Sequence, residues 1–226
     1  MKTKIGIYEG NILNNKKHGF GIYSYINGEK YEGEWYNGYK QGKGIFTFSN
    51  GDRYDGDFIK NTMTGKGTLY KINGTIYDGM WKNKIFYGNG ISMTNKGDSY
   101  EGTWKNNKAN GMGTLLLNNG DSYEGTFLNG KFHGKGTLKS NGLYVGEFIK
   151  GEKSGFGVRE LPNGNKYQGQ WLNDKREGNG ILFYKNGDKY DGEFHDGKLH
   201  GKGKIYYNNG FSEEGIWENG NKIENN

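Results

Sequence analysis

A tyrosine recurs along almost the whole chain at a spacing of 23 residues, shortened once to 21. A glycine follows it two positions later, and two positions further comes an aromatic residue in every full copy except the first, which has Ile12. Copies that repeat at a period of about 20–50 residues each fold as one unit and stack on their neighbours. We therefore predict a single array over residues 1–226, with nine full repeats and a partial tenth from Glu213. The full repeats open at Tyr8, Tyr31, Tyr54, Tyr77, Tyr100, Tyr123, Tyr144, Tyr167 and Tyr190.

The glycine content alone would suggest a low-complexity chain, since 43 of the 226 residues are glycine. Disordered chains are poor in aromatic residues, whereas this one has 18 Tyr, 12 Phe and 5 Trp. Nearly every glycine also occupies a fixed position in the repeat, which argues against low complexity. The chain has no cysteine, which excludes disulfides and thiolate zinc sites and suits a reducing compartment. Residues 1–10 lack the apolar run of a signal peptide, so we expect a cytoplasmic protein.

Alternation of residue types predicts that each repeat is a β-hairpin. The tyrosine, the glycine and the position-four aromatic share one parity, so they project onto one face of a strand. A second strand begins at a Gly-x-Gly pair such as Gly42-Lys43-Gly44, and Asn-Gly turns connect the strands. The fold class is therefore all-β, an elongated and twisted single-layer antiparallel sheet of tandem hairpins. At about 4.8 Å between strands, its 18 strands would form a rod about 85 Å long.

Glycine weakens the interior of a strand unless something covers it. Here a ring on one hairpin is expected to lie over glycine backbone of the adjacent hairpin and shield its peptide groups from water. Acidic residues alternate with the rings, and we expect them to form a solvated stripe on the other face.

The segment 31–35 (YEGEW), with Gly42-Lys43-Gly44 and Asn50-Gly51 behind it, resembles the MORN (membrane occupation and recognition nexus) repeat. Segment 131–136 (KFHGKG) is similar to the core of that motif, and the resemblance extends over about residues 8–220. It implies an elongated hairpin sheet. It also implies a role as a scaffold, homodimerisation, phosphoinositide binding and an association with the cytoskeleton or the membrane.

No residue pattern points to catalysis, so we expect no enzyme activity, no cofactor and no metal. The Gly-x-Gly pairs are not phosphate-binding loops, because no G-x-x-x-x-G-K-[ST] sequence occurs. His195 and His200 lack an oriented third ligand and make a weak zinc site. The net charge of +6 is mild. We expect protein partners, a second copy of the chain and, as an alternative, anionic phospholipids, but no nucleic acid.

Three surfaces are candidate binding sites. A groove on the aromatic face, suited to a peptide from a cytoskeletal or motor partner, would be formed by Tyr31, Trp35, Tyr77, Trp81, Tyr100, Trp104, Tyr167 and Trp171. Lysines at the first hairpin turn form a basic edge for an anionic membrane, with Lys16, Lys17, Lys175 and Arg176 as candidates. The tenth repeat ends without a second strand and leaves an open edge for a two-fold dimer. That dimer would be centred on Phe194, Tyr206, Tyr207 and Trp217.

Overall fold

The structure, a computed structural model, describes residues 2–3 and 5–223, which form strands and turns and contain no helix. The chain divides into two compact units, Met1–Asn118 and Asn119–Asn226. The first unit contains β1 (Lys2–Thr3), β2 (Gly6–Leu13), β3 (Lys16–Tyr25), β4 (Lys30–Tyr36), β5 (Tyr39–Thr47), β6 (Arg53–Ile59), β7 (Thr62–Tyr70), β8 (Ile76–Lys82), β9 (Ile85–Met93), β10 (Ser99–Lys105) and β11 (Lys108–Leu116). The second contains β12 (Ser122–Leu128), β13 (Lys131–Lys139), β14 (Leu143–Ile149), β15 (Glu152–Glu160), β16 (Lys166–Leu172), β17 (Lys175–Phe183), β18 (Lys189–His195), β19 (Lys198–Tyr206), β20 (Ser212–Glu218) and β21 (Asn221–Ile223).

Within each unit every strand pairs antiparallel with the strand that follows it in sequence. In the first unit this pairing runs from β1 to β11. In the second unit it runs from β12 to β21. The predicted all-β fold of tandem antiparallel hairpins is confirmed. The prediction of one continuous array over residues 1–226 stays a prediction.

Two-residue turns connect the strands of each hairpin. Asn37 and Gly38 join β4 to β5 with φ angles of 49° and 87°. Positive φ at both central residues defines the type I′ turn, whose twist matches that of paired strands and which favours Asn-Gly. The Asn-Gly signal in the sequence therefore identified this hairpin correctly.

A bulge in each full hairpin was not foreseen from the sequence. Gly33 of β4 faces Gly44 of β5, but the next pair is Trp35 with Lys40. Between these two pairs β5 therefore contains two more residues than β4. The extra residues turn at Gly42, whose φ of 70° suits glycine.

An acidic or amide side chain at repeat position three closes this bulge. The Glu34 carboxylate accepts a hydrogen bond from the Lys43 backbone N–H at 2.9 Å. Asp57, Gln170 and Glu193 accept the equivalent bond in their repeats. These residues satisfy backbone donors, so for them the expectation of a purely solvated acidic stripe is wrong.

Candidate binding face

The opening tyrosine of a repeat covers the glycines of its own hairpin. A Cβ atom added at Gly44 would lie 2.4 Å from Tyr31 Oη and 2.5 Å from its Cε2, so no side chain fits beneath the ring. The Tyr31 hydroxyl donates to the Glu34 carbonyl at 2.9 Å, and burial raises its pKa far above the usual value. Tyrosines 8, 54, 100, 123, 144, 167 and 190 make the same approach to the second glycine of their Gly-x-Gly pairs.

The position-four aromatic contacts the preceding hairpin. The Trp35 indole N–H donates to the Gly21 carbonyl at 3.0 Å, and Trp35 meets the ring of Tyr8 edge-to-face at 5.4 Å. The same indole bond to a preceding glycine carbonyl forms at Trp81, Trp104 and Trp171. We expected every ring to cover glycine backbone of a neighbouring hairpin. This prediction is confirmed for the position-four aromatic, whereas the tyrosine covers the glycines of its own hairpin.

Most of the predicted groove residues are therefore core rather than open surface. Tyr31, Trp35, Trp81, Tyr100 and Trp104 are buried in the first unit, as are Tyr167 and Trp171 in the second. Their rings are occupied in covering glycine backbone and in edge-to-face contacts with one another. Only Tyr77 of the predicted set is half-buried.

The fourth repeat departs from this arrangement. Here Phe86, from the second strand, takes the place of the tyrosine over the glycines: a Cβ at Gly90 would lie 2.4 Å from Phe86 Cζ. Phe86 is buried, while Tyr77 is displaced to a centroid distance of 5.8 Å from it. A cavity of about 290 Å³ opens here, bordered by Leu69, Tyr77, Trp81 and the side chain of Lys84, among others. Sequence reasoning missed this site, and residue spacing held no signal for it, because Phe132 also follows Tyr123 by nine positions and yet Tyr123 still covers Gly136.

Repeat position nine also projects onto the aromatic face. This residue lies directly across from the position-four aromatic, as Lys40 does from Trp35. Unlike the rings below it, the residue varies from repeat to repeat. In the first unit it is Lys17, Lys40, Met63, Phe86 and Ala109; in the second it is Phe132, Lys153, Arg176, Leu199 and Lys222.

Two of these residues place cations over aromatic rings of the first unit. The Lys17 ammonium lies 3.7 Å from the Tyr23 ring centroid and 4.4 Å from that of Trp35. Lys40 lies 4.1 Å from the Phe46 centroid, and its side chain makes no ion pair with any described residue. Such contacts favour a cation at roughly 0.5–2 kcal/mol each. Burial lowers the pKa of Lys40 to about 8, because the charged form loses water; Lys40 is only 8% exposed.

In each unit, the two residues predicted to belong to a lipid-binding edge lie on opposite faces of their strand. Lys16 and Lys175 are exposed, and Lys175 forms an ion pair with Asp196. Lys17 and Arg176 are the next residues along their strands, so they project onto the opposite, aromatic face. The Arg176 guanidinium lies 5.2 Å from the Phe194 ring centroid. Their assignment to a common edge is corrected on this geometry.

The C-terminal repeat also differs from its prediction. Residues Asn221–Ile223 form β21, which pairs with the end of β20, so a second strand is present. Phe194 and Trp217 are buried against the ring of Tyr190, at 5.3 Å and 5.2 Å. Tyr207 is half-buried and donates its hydroxyl to Glu213. Tyr206, 37% exposed, is the most accessible of the four predicted dimer residues.

His195 and His200 have ring centroids 5.4 Å apart, and His195 Nδ1 lies 2.8 Å from a carboxylate oxygen of Glu177. The part of the chain that the structure describes holds no cluster of three or more side chains able to bind a metal ion. Over the same residues, no helix has the length and apolar character needed to cross a membrane.

Comparison with solved structures finds distant likenesses. The G-box domain of the microcephaly protein CPAP is 11% identical, with a TM-score of 0.45 over 88% of this chain and 100% of that domain. The TCP10 domain of Danio rerio CPAP is 12% identical, with a TM-score of 0.43 over 85% of this chain and 86% of that one. The SAS-4 TCP domain of Drosophila melanogaster, bound to a proline-rich motif of Ana2, is 10% identical, with a TM-score of 0.33 over 92% and 99%. At TM-scores below 0.5 these likenesses carry no argument about function.

No curated protein is significantly similar in sequence. The model of the MORN repeat matches eight segments: 8–30, 31–53, 54–76, 100–122, 123–142, 144–166, 167–189 and 190–212. The segment from Tyr77 to Ser99, where Phe86 replaces the tyrosine over the glycines, is not among them, although it folds as the hairpin β8–β9. The eight matches cover well over half of the residues, and the chain belongs to the MORN repeat family.

Proposed function

We propose that this protein is a non-enzymatic cytoplasmic scaffold that binds protein partners at the boundary of membrane and cytoskeleton. The observation that carries the proposal is Lys40. Its side chain is buried over aromatic rings and makes no ion pair with a described residue. The loss of water around its charged form has a free-energy cost. An acidic group of a partner would compensate for that cost, and Lys17 lies on the same face one repeat earlier.

Affinity capture from an extract of the source cells tests this role. The bait is the full chain, compared with Lys17→Met/Lys40→Met, which removes both charges and retains apolar stems. The matched control is Lys16→Met, on the opposite face next to Lys17. A partner captured by wild type and control but lost from the double variant supports the proposal. Equal capture by all three baits, or no capture by any, contradicts it.

Self-association through the last repeat is a further part of the proposal. Ile216 and Ile223 face each other across β20 and β21, and they are 42% and 43% exposed. Light scattering should give twice the 25.5 kDa chain mass, and Ile216→Lys should return it to 25.5 kDa. A wild-type mass of one chain at high concentration would rule the dimer out.

An anionic membrane is the second candidate partner, supported by lysines at the hairpin turns of the first unit. They are exposed and form no ion pair with a described residue: Lys16, Lys60, Lys82, Lys84, Lys105 and Lys108. Each lysine near an anionic surface contributes about 1 kcal/mol. Flotation with phosphatidylcholine vesicles containing a phosphoinositide should then show binding that falls steeply with salt. Equal flotation with pure phosphatidylcholine would exclude this role.

A further inference from the structure

The fourth repeat contains an unfilled site on the aromatic face. In the other full repeats the opening tyrosine is buried over glycine, and in each of them its hydroxyl donates to a backbone carbonyl three residues later. Tyr77 is half-buried, and its hydroxyl has no hydrogen-bond partner among the described residues. Because Phe86 already covers the glycines, Tyr77 is not needed as core and stands at the wall of the cavity.

The cavity is shaped for one apolar side chain. Leu69, Tyr77, Trp81 and Phe86 supply apolar walls, and its volume is about 290 Å³. Pockets for whole drug-sized ligands run from about 300 to 1,000 Å³, so this one lies at the lower limit. A single large side chain, anchored in a pocket and flanked by polar contacts, is the usual energetic centre of a protein–peptide contact.

The charge around the cavity selects for an acidic neighbour. Lys84 borders it with no ion pair among the described residues, whereas Lys71, also at its wall, is paired with Asp52 at 2.6 Å. Lys40, towards the second repeat, is attracted by Glu29, while Lys84 and Lys17 each repel its ammonium group more weakly. The lining includes no acidic residue. A cation-bearing rim around an aromatic pocket attracts carboxylates and repels lysine-rich chains.

We propose that the fourth-repeat cavity binds a large apolar side chain of an acidic peptide segment from a partner protein. Carboxylates that flank this anchor contact Lys84 and, towards the second repeat, Lys40. The inference rests on the proposed scaffold role and assigns its specificity: an aromatic or leucine-sized residue within a run of acidic ones.

NMR titration of the full chain with defined peptides tests this assignment. The probe is a fluorescein-labelled peptide with one phenylalanine between aspartates and glutamates. Its two comparison peptides carry alanine in place of phenylalanine, or lysines in place of the acids. The indole N–H signals of Trp81 and Trp171 report the cavity and a repeat of the second unit, respectively.

The expected result is a saturable shift of the Trp81 signal and none of Trp171. Replacing the phenylalanine of the peptide with alanine should weaken binding by about 30-fold, as for the loss of one buried ring. Lys84→Met should weaken it by about threefold, as for an exposed ion pair, while Lys66→Met, which changes an exposed lysine of the third repeat outside the lining, should leave it unchanged.

The assignment is overturned if Trp81 does not shift, if both tryptophans shift alike, or if the alanine peptide binds as well as the phenylalanine peptide. The capture experiment separates this failure from that of the scaffold role. If a partner is lost with the Lys17→Met/Lys40→Met bait while peptides from its acidic segments leave the Trp81 signal unchanged, that result would support the scaffold role and reject the peptide site in the cavity. Binding to phosphoinositide vesicles that is lost in Lys84→Met, with no shift of the Trp81 signal by any peptide, would assign the lysines around the cavity to a membrane. It would likewise reject the peptide site.

Discussion

Replacing Gly44 with alanine places a methyl group beneath the Tyr31 ring. The added Cβ would lie 2.4 Å, 2.5 Å and 2.6 Å from Oη, Cε2 and Cζ of Tyr31. Favourable carbon contacts need about 3.5–4.0 Å, so the ring must move by about 1 Å. Overpacking of this kind costs about 1–3 kcal/mol. Loss of the Tyr31 hydroxyl bond to the Glu34 carbonyl adds about 0.5–1.5 kcal/mol. We therefore expect the free energy of unfolding to fall by about 2–4 kcal/mol.

Urea denaturation followed by circular dichroism measures this loss, and a double-mutant cycle assigns it to the ring. In a Tyr31→Leu background, Gly44→Ala should cost at least about 1 kcal/mol less, because the ring that it strikes is gone. Gly215→Ala is the matched control, since the three atoms nearest to its added Cβ all belong to the flexible side chain of Lys222. Additive effects of Tyr31→Leu and Gly44→Ala, or an equal loss from Gly215→Ala, would refute the reasoning.

Three further substitutions test other contacts by the same denaturation assay. Trp35→Phe removes the indole bond to the preceding repeat at 3.0 Å and should cost about 1–2 kcal/mol, and an unchanged midpoint would show that this bond contributes nothing. Glu34→Ala leaves the Lys43 N–H without its acceptor and should cost about 0.5–1.5 kcal/mol, whereas Glu34→Gln should be nearly neutral; equal losses would contradict the role of the side chain. Lys40→Met should stabilise the fold at pH 7 by up to about 3 kcal/mol, because folding lowers the Lys40 pKa from 10.5 to about 8. Between those two pH values the unfolded wild-type chain binds a proton that the folded one does not, so the free energy of unfolding of the wild type rises with pH. The extra stability of Lys40→Met should therefore vanish as the pH rises. A stability difference that stays constant with pH would be inconsistent with the lowered pKa.

The hairpins could be predicted from the sequence because their signals are local and repeated. Alternation places Tyr31 and Trp35 on one face, and Asn37-Gly38 has the residues that a type I′ turn requires. Several internal copies of each signal confirm one another. The pairing of a ring with glycine also follows from residue types, since only glycine leaves room beneath a ring.

The contacts that depend on register could not be predicted in this way. A bulge adds residues to one strand without changing the period-two pattern, so the role of Glu34 in closing it was hidden. The same strand geometry decides that Lys17 faces the rings while Lys16 faces away, although the two are neighbours in sequence. Phe86 displaces Tyr77 through a packing competition between two rings, and residue spacing does not rank such alternatives.

Proton–proton NOEs between Tyr31 and Gly44 test the central claim most directly. If the tyrosine of a repeat covers the glycine of its own hairpin, strong NOEs connect the Tyr31 ring protons with the Gly44 Hα protons, and Tyr31→Leu abolishes the ring-current shift of those protons. In the fourth repeat the Gly90 Hα protons should show NOEs to Phe86 and not to Tyr77. Gly44 Hα signals at unshifted positions, with no NOE to Tyr31, would contradict the account.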